Sequence, residues 1–312
     1  MNKRLLLLLL VYLIASCKKE DPPINTDEVR IFKTINTING NKVYLNFEYD
    51  PQGRATRLSL DNTETKATIK YIGNEIIITE PTLTSPTLTI HHETRYVLDQ
   101  NKNPTQRILT KTTRYFSPAN DQTNFITDTT YYEYDASGLL TKTIDTHRDS
   151  TWILPGTAPL VSRTALDKIT TIYTNSNGNL SSGNGTGTRL VRTFNGTSTI
   201  EFNSIIKKSI QLDYSSKYPN KTDFNNIFIL NEYNIIFTKA FPESPFYILN
   251  KKYKNLPNRI DHNLTEEFTI GGTTQTAGGR EEFTYSYNKY GFVTNVAHTG
   301  GANTNIDIVY NK

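Results

Sequence analysis

The chain has 312 residues, with 34 Lys and Arg against 30 Asp and Glu, and a single cysteine, Cys17. One cysteine excludes an intramolecular disulfide and a Cys-ligated zinc site. A formal net charge of +4 is too slight to predict a nucleic-acid partner.

The first residues read as a targeting segment. Lys3 and Arg4 form a short positive region, and Leu5 to Ile14 is an unbroken apolar run. That run is too short for a permanent transmembrane helix and reads as a signal segment to be set apart from the fold. Residues 1–16 are therefore expected to be removed. Loss of Lys3 and Arg4 leaves 32 basic residues against 30 acidic ones. From Cys17 to residue 29 the chain is charged and polar, with Pro22 and Pro23, and has nothing to bury. It is expected to be a flexible tether.

Residues 30–312 are expected to form a single all-β domain. Short runs rich in Ile, Val, Thr, Tyr and Phe recur throughout, as in RIFKTIN (30–36), KVYLNFEYD (42–50), LTIHHETRYV (88–97) and RILTKTTRYF (107–116). Many alternate between apolar and polar positions, which marks strands with one buried face. A sheet wetted on one side is antiparallel far more often than parallel. The expected architecture is a large, curved, mostly antiparallel meander, open or half-barrel-like, with at most one or two short helices. Residues 225–241 carry a plausible helical face but are rich in Asn and β-branched residues, which form helices poorly. The stretches at 117–124, 174–188 and 271–279 read as loops, the middle one as a long hairpin loop inside the domain.

Three stretches share the pattern aromatic-x-Tyr-Asp/Asn-x-x-Gly-x-apolar-Thr. They begin at Phe47, Tyr132 and Tyr285, and a looser copy spans 172–180. Each reads as a β-hairpin. The two aromatics share a strand face, where cross-strand pairs stabilise a sheet. Asp50, Asp135 and Asn288 accept a backbone N–H and start the turn. Gly53, Gly138 and Gly291 supply the positive φ that closes it.

Two resemblances attach to these features. Ile14-Ala15-Ser16-Cys17 resembles the lipobox of bacterial lipoproteins, which implies that Cys17 is diacylated and becomes the first mature residue. Two acyl chains suffice for stable membrane attachment. The Lys-Glu-Asp that follows is similar to the surface-export signal of Bacteroidota-type lipoproteins, which implies the outer face of the outer membrane, with a periplasm-facing location as the alternative. The hairpin template resembles the YD repeat of RHS-type proteins, and more closely a family of uncharacterised Bacteroidota lipoproteins with scattered YD-like hairpins. The copies here lie 85 and 153 residues apart at their glycines, far wider than in a cargo-enclosing RHS shell. The resemblance implies a hairpin-built sheet and carries no established activity.

Catalytic chemistry is weakly signalled. The five histidines are His91, His92, His147, His262 and His298, and no HExxH, GxSxG or P-loop accompanies them. They read as surface histidines rather than metal ligands, and no cofactor is expected. The remaining candidate is the aromatic content of 19 Tyr and 14 Phe, with the sole tryptophan, Trp152, as the candidate ligand contact. The expected function is that of a non-catalytic, surface-exposed envelope lipoprotein, monomeric, anchored through Cys17 and binding a glycan or a partner protein. The alternative is a structural envelope lipoprotein whose half-barrel holds a lipid or other apolar ligand.

Overall fold

The structure, a computed structural model, describes residues 30–38, 40–60, 64–116, 120–155, 161–219, 254–299 and 304–311. The segment 225–241, with its helical reading, lies outside the described residues, as does Cys17.

Seventeen strands follow one another along the chain. The first six are β1 (Arg30–Ile38), β2 (Asn41–Tyr49), β3 (Ala55–Leu60), β4 (Glu64–Ile72), β5 (Glu75–Thr79) and β6 (Leu83–Ser85). Then come β7 (Leu88–Leu98), β8 (Pro104–Phe116), β9 (Asn120–Tyr134), β10 (Leu140–Pro155), β11 (Val161–Ser176) and β12 (Asn179–Phe194). The last are β13 (Thr199–Pro219), β14 (Asn255–Phe268), β15 (Thr274–Tyr287), β16 (Val293–Thr299) and β17 (Thr304–Asn311). No helix occurs among the described residues.

Successive strands pair antiparallel, and β17 returns to pair with β1. β5 and β6 lie end to end against the same strand, β7, so they fill one position. The result is a closed meander with sixteen strand positions. The expectation of an open or half-barrel sheet is corrected here: closure leaves no unpaired edge, which for so long a sheet removes a template for aggregation.

The stretch 174–188 is also corrected. It is not a long loop. Its hairpin connection is only Asn177 and Gly178, both at positive φ, and Gly183, Gly185 and Gly187 lie inside β12. These glycines alternate on the inner face. A Cβ on Gly183 would lie 2.6 Å from the Tyr173 ring, and one on Gly187 would lie 2.1 Å from the Lys168 carbonyl oxygen. Their composition signals flexibility, but their role is close approach of neighbouring strands and side chains. The stretches 117–124 and 271–279 are likewise shorter as connections than they read, because β9 starts at Asn120 and β15 at Thr274.

The three template hairpins share one turn geometry. Gly53, Gly138 and Gly291 have φ of 73°, 78° and 87° and donate their N–H to the carbonyls of Asp50, Asp135 and Asn288 at 2.8, 2.9 and 3.0 Å. The same Asp or Asn side chain also accepts the N–H four residues on, from Arg54, Leu139 and Phe292. A further copy escapes the template. In Asp99 to Asn103 the Lys102 N–H donates to the Asp99 carbonyl at 3.1 Å, and the Asn103 N–H to the Asp99 side chain at 2.8 Å. Lys102 holds the glycine position at φ 65°.

After each turn the returning strand carries a bulge, so two residues three apart both face inward. Ala55 with Leu58, Leu140 with Thr143, and Val293 with Val296 are such pairs, all buried. The ladders shift register at these places. The template threonine sits in the bulge. Thr56, Thr141 and Thr294 each donate to the carbonyl eight residues earlier, at 3.3, 3.1 and 3.3 Å. Thr105, in the added copy, does the same to Val97 at 3.2 Å.

The core lies on the inner face toward these turns. Leu45, Phe47, Leu58, Ile69, Tyr96, Tyr132, Leu140, Tyr173, Phe283, Val296 and Ile306 form one buried cluster. Burial of so much apolar surface, at roughly 25 cal/mol per Å², is the main stabilising term.

Candidate functional site

The barrel presents two surfaces that differ in chemistry, and the strand register assigns residues to each. Toward the end away from the Asp-Gly turns, the inner face becomes polar. One inner row runs across Leu109, Asp128, His147, Asp167, Arg189 and Ser204 on β8 to β13. The next row toward the rim begins Lys111, Ile126, Asp149, Ala165 and Val191.

Several charges in this layer are paired. Arg189 donates to both Asp167 oxygens at 2.8 and 2.7 Å and to Glu266 at 2.7 Å, and Glu266 also accepts the Ser204 hydroxyl. Asn124 donates to Asp149 at 2.8 Å and to Thr151 at 3.0 Å, while Arg163 lies 3.5 Å from Asp149. Lys208 on β13 passes over the glycine floor of β12 and reaches Asp145 on β10 at 3.3 Å. Buried charges are tolerated only when paired in this way.

Four of the five histidines belong to the inner face, which corrects their reading as surface residues. His92 pairs with Glu80 and His147 with Asp128. His298 lies 3.3 Å and His262 3.8 Å from Glu281, and His298 stacks on Phe283 at 4.9 Å between ring centroids. Only His91 faces outward, next to Thr82. The Asp128 hydrogen bond holds the His147 pKa above its ordinary 6.5, against the opposing effect of burial. Among the described residues no group of three His, Cys, Asp or Glu converges as metal ligands would.

The outer face mixes hydroxyl and charged side chains with exposed apolar ones, among them Ile72, Tyr131, Leu166, Ile172, Ile205 and Val309. Threonines face one another across strands, as Thr110 with Thr127, Thr129 with Thr146, and Thr170 with Thr186. Between them run ion pairs: Arg57–Glu48 at 2.9 Å, Lys142–Glu133 at 2.7 Å, Arg192–Glu201 at 2.7 Å, Lys207–Glu267 at 2.6 Å and Arg280–Asp261 at 2.7 Å. A strand wall facing lipid instead carries an apolar band about 25 Å tall, and each Lys or Arg at its midplane costs about 2–4 kcal/mol.

Trp152 stands on this outer face near the rim, 44% exposed. Its ring packs edge-on against Phe125 of β9, with centroids 5.3 Å apart at 62°. Phe125 is 39% exposed and was not legible as its partner, since the two are 27 residues apart and meet only through the register that sets Trp152 opposite Thr123. Thr123, Ser150 and Ser162 flank the pair. The turn residues Asp50, Gly53, Asp135, Gly138, Asn288 and Gly291 all cluster at the other end and are fully engaged in closing their hairpins.

These features define the class as a closed antiparallel β-barrel with an apolar cluster toward its turn end, ion pairs on the inner face beyond it, and an outer wall of mixed chemistry. No family model and no curated protein matches the chain. A solved structure with some similarity is a porin-like protein from Bacteroides uniformis. It is 12% identical over 76% of this chain and 96% of that one, with a TM-score of 0.24. A likeness of that size carries no argument about what this barrel does.

Proposed function

We propose that this protein is a non-catalytic, lipid-anchored protein of the bacterial cell envelope that stands outside the bilayer and binds a glycan or a partner protein. The observation that supports it best is the outer wall. Its Thr ranks and Lys/Arg–Glu/Asp pairs suit water and favour attachment by other means than the wall, and the lipobox-like sequence ending at Cys17 supplies one. The YD-like lineage of surface lipoproteins fits the same reading, with the exterior of the outer membrane as the location.

The ligand contact is assigned to Trp152 with Phe125. An exposed aromatic pair fringed by hydroxyls offers stacking area and polar contacts together, the combination that binds sugar rings and protein side chains. The alternative of an apolar ligand held in a half-barrel loses support, since the sheet closes and its inner apolar residues pack against one another.

The test has two parts. Labelled palmitate fed to cells should enter the wild-type protein and not Cys17→Ala. A glycan and envelope-extract binding screen on the 24–312 fragment should give a ligand whose binding falls in Trp152→Ala. Lipid incorporation that persists in Cys17→Ala would remove the anchor. Binding unaffected by Trp152→Ala would remove the site.

A further inference from the structure

We propose that the barrel stands on the lipid surface with its Asp-Gly turn end down, so that the rim bearing Trp152 points away from the membrane. This rests on the lipid-anchor reading of Cys17, and two independent features of the structure carry the direction.

The first is where the chain enters. β1 begins at Arg30, which is paired with Asn311. The Tyr49 hydroxyl donates to the carbonyl of Ile31, and Tyr49 immediately precedes the 50–54 turn. The entry point is therefore at the turn end. Twelve residues separate Cys17 from Arg30. A flexible chain of that length has an end-to-end distance of about 20 Å. The nine residues of β1, where the tether joins, extend about 30 Å, or roughly 23 Å along a barrel axis tilted by about 40°, and the sixteen of β10 about 50 Å, or roughly 38 Å. The turn end lies at the tether's own entry point, while the rim beside β1 would take up the tether's whole mean span and the rim at β10 most of its full length.

The second is the charge of the two ends. At the turn end Lys102 and Lys289 are exposed in their turns and Lys254 is exposed just before β14, with Lys289 lying 4.9 Å over the exposed Tyr290 ring. The carboxylates Asp50, Asp99 and Asp135 accept bonds inside their own turns and keep their charge, so with Arg54, which pairs with Asp50, the described connections at this end carry four cations against three anions. The described rim connections, at Gly40, 86–87, 195–198 and 269–273, carry no charged residue. Cations and an interfacial tyrosine suit an anionic headgroup layer, each cation adding about 1 kcal/mol near such a surface.

Orientation is measurable by energy transfer. Ala136→Cys at a turn tip and Ile270→Cys at the rim, each in the full lipidated protein, are labelled with a donor dye; acylated Cys17 does not react. The proteins are reconstituted into vesicles of phosphatidylcholine with phosphatidylglycerol and a headgroup-labelled acceptor lipid. Transfer from position 136 should exceed that from 270 several-fold. Equal transfer, or more from 270, overturns the orientation while leaving the anchor intact. Failure of the wild-type protein to float with the vesicles, or flotation of Cys17→Ala equal to it, overturns the anchor instead. Lys102→Glu/Lys254→Glu/Lys289→Glu should lower the transfer from 136, and unchanged transfer would remove the electrostatic half of the inference.

Discussion

The hydroxyl of Tyr134 donates to the carbonyl of Pro104 at 2.8 Å, tying the end of β9 to the start of β8. Pro104 precedes the bulge at Thr105, where the ladder is interrupted and a carbonyl is left without its usual partner. The same latch recurs around the turn end. Tyr71 donates to Ala55 at 3.0 Å, Tyr310 to Val293 at 2.6 Å, and the Asn175 amide to Leu140 at 2.9 Å. Each hairpin thus leaves an acceptor that the next strand satisfies, which links the repeat units in series. Burial pushes the Tyr71 hydroxyl up to about 12, so it stays a donor across the accessible pH range.

Tyr134→Phe should accordingly destabilise the barrel by about 1 kcal/mol, the usual net worth of a hydrogen bond whose acceptor is left partly buried. Chemical denaturation reads the change. Tyr131→Phe, three residues earlier on the same strand but on the exposed outer face, should be neutral by the same assay.

The Lys208–Asp145 pair makes a sharper test. Both side chains are nearly buried, at 9% and 14% exposure, and they belong to strands two positions removed from adjacency. Lys208→Met leaves Asp145 without its cation and should cost about 3 kcal/mol. Adding Asp145→Leu should recover most of that loss. A double variant as unstable as the sum of the singles would show that the pair is not coupled.

Lys102 occupies a backbone conformation that its three counterparts give to glycine. A side chain there costs about 1–2 kcal/mol, partly offset by the freedom glycine restores to the unfolded chain. Lys102→Gly should therefore raise stability by roughly 0.5 kcal/mol, and Gly138→Ala should lower it by about 1–2 kcal/mol. Thermal melts of the two variants should move in opposite directions.

His147 predicts a pH dependence with a definite sign. Its folded pKa is raised above 6.5 by Asp128, so its contribution is fully present below about 6.5 and is lost as pH rises through the folded value. Urea midpoints should fall between about pH 6 and pH 9 in the wild type, and fall less in Asp128→Asn.

Gly187→Ala tests the floor of β12. The added methyl would meet backbone, the Lys168 carbonyl, rather than a movable side-chain end. A loss of about 1–3 kcal/mol is expected, larger than for Gly271→Ala at a hairpin connection only if packing rather than φ dominates; Gly271 has open space around it but φ of 87°.

Much of the local structure was legible because it is local. An Asp, a Gly three residues on and a flanking aromatic pair carry everything a hairpin turn needs, and all three template copies fold as read. The Asp99 copy was not legible because Lys102 occupies the position that the pattern reserves for glycine, and Leu98 the position of the second tyrosine. The glycines of β12 misled for the opposite reason. Glycine marks loops by its freedom and strands by its lack of bulk, and the sequence does not say which property is used.

By itself the sequence determined the strand content, the antiparallel meander and the turn chemistry of the repeats, since these depend on alternation and on residues a few positions apart. Only the tertiary structure decided that β17 pairs with β1, that Lys208 meets Asp145, and that Phe125 lies against Trp152. Closure depends on the summed twist and stagger of every strand, and each contact across the barrel depends on register accumulated over many residues. No short window of sequence contains that sum.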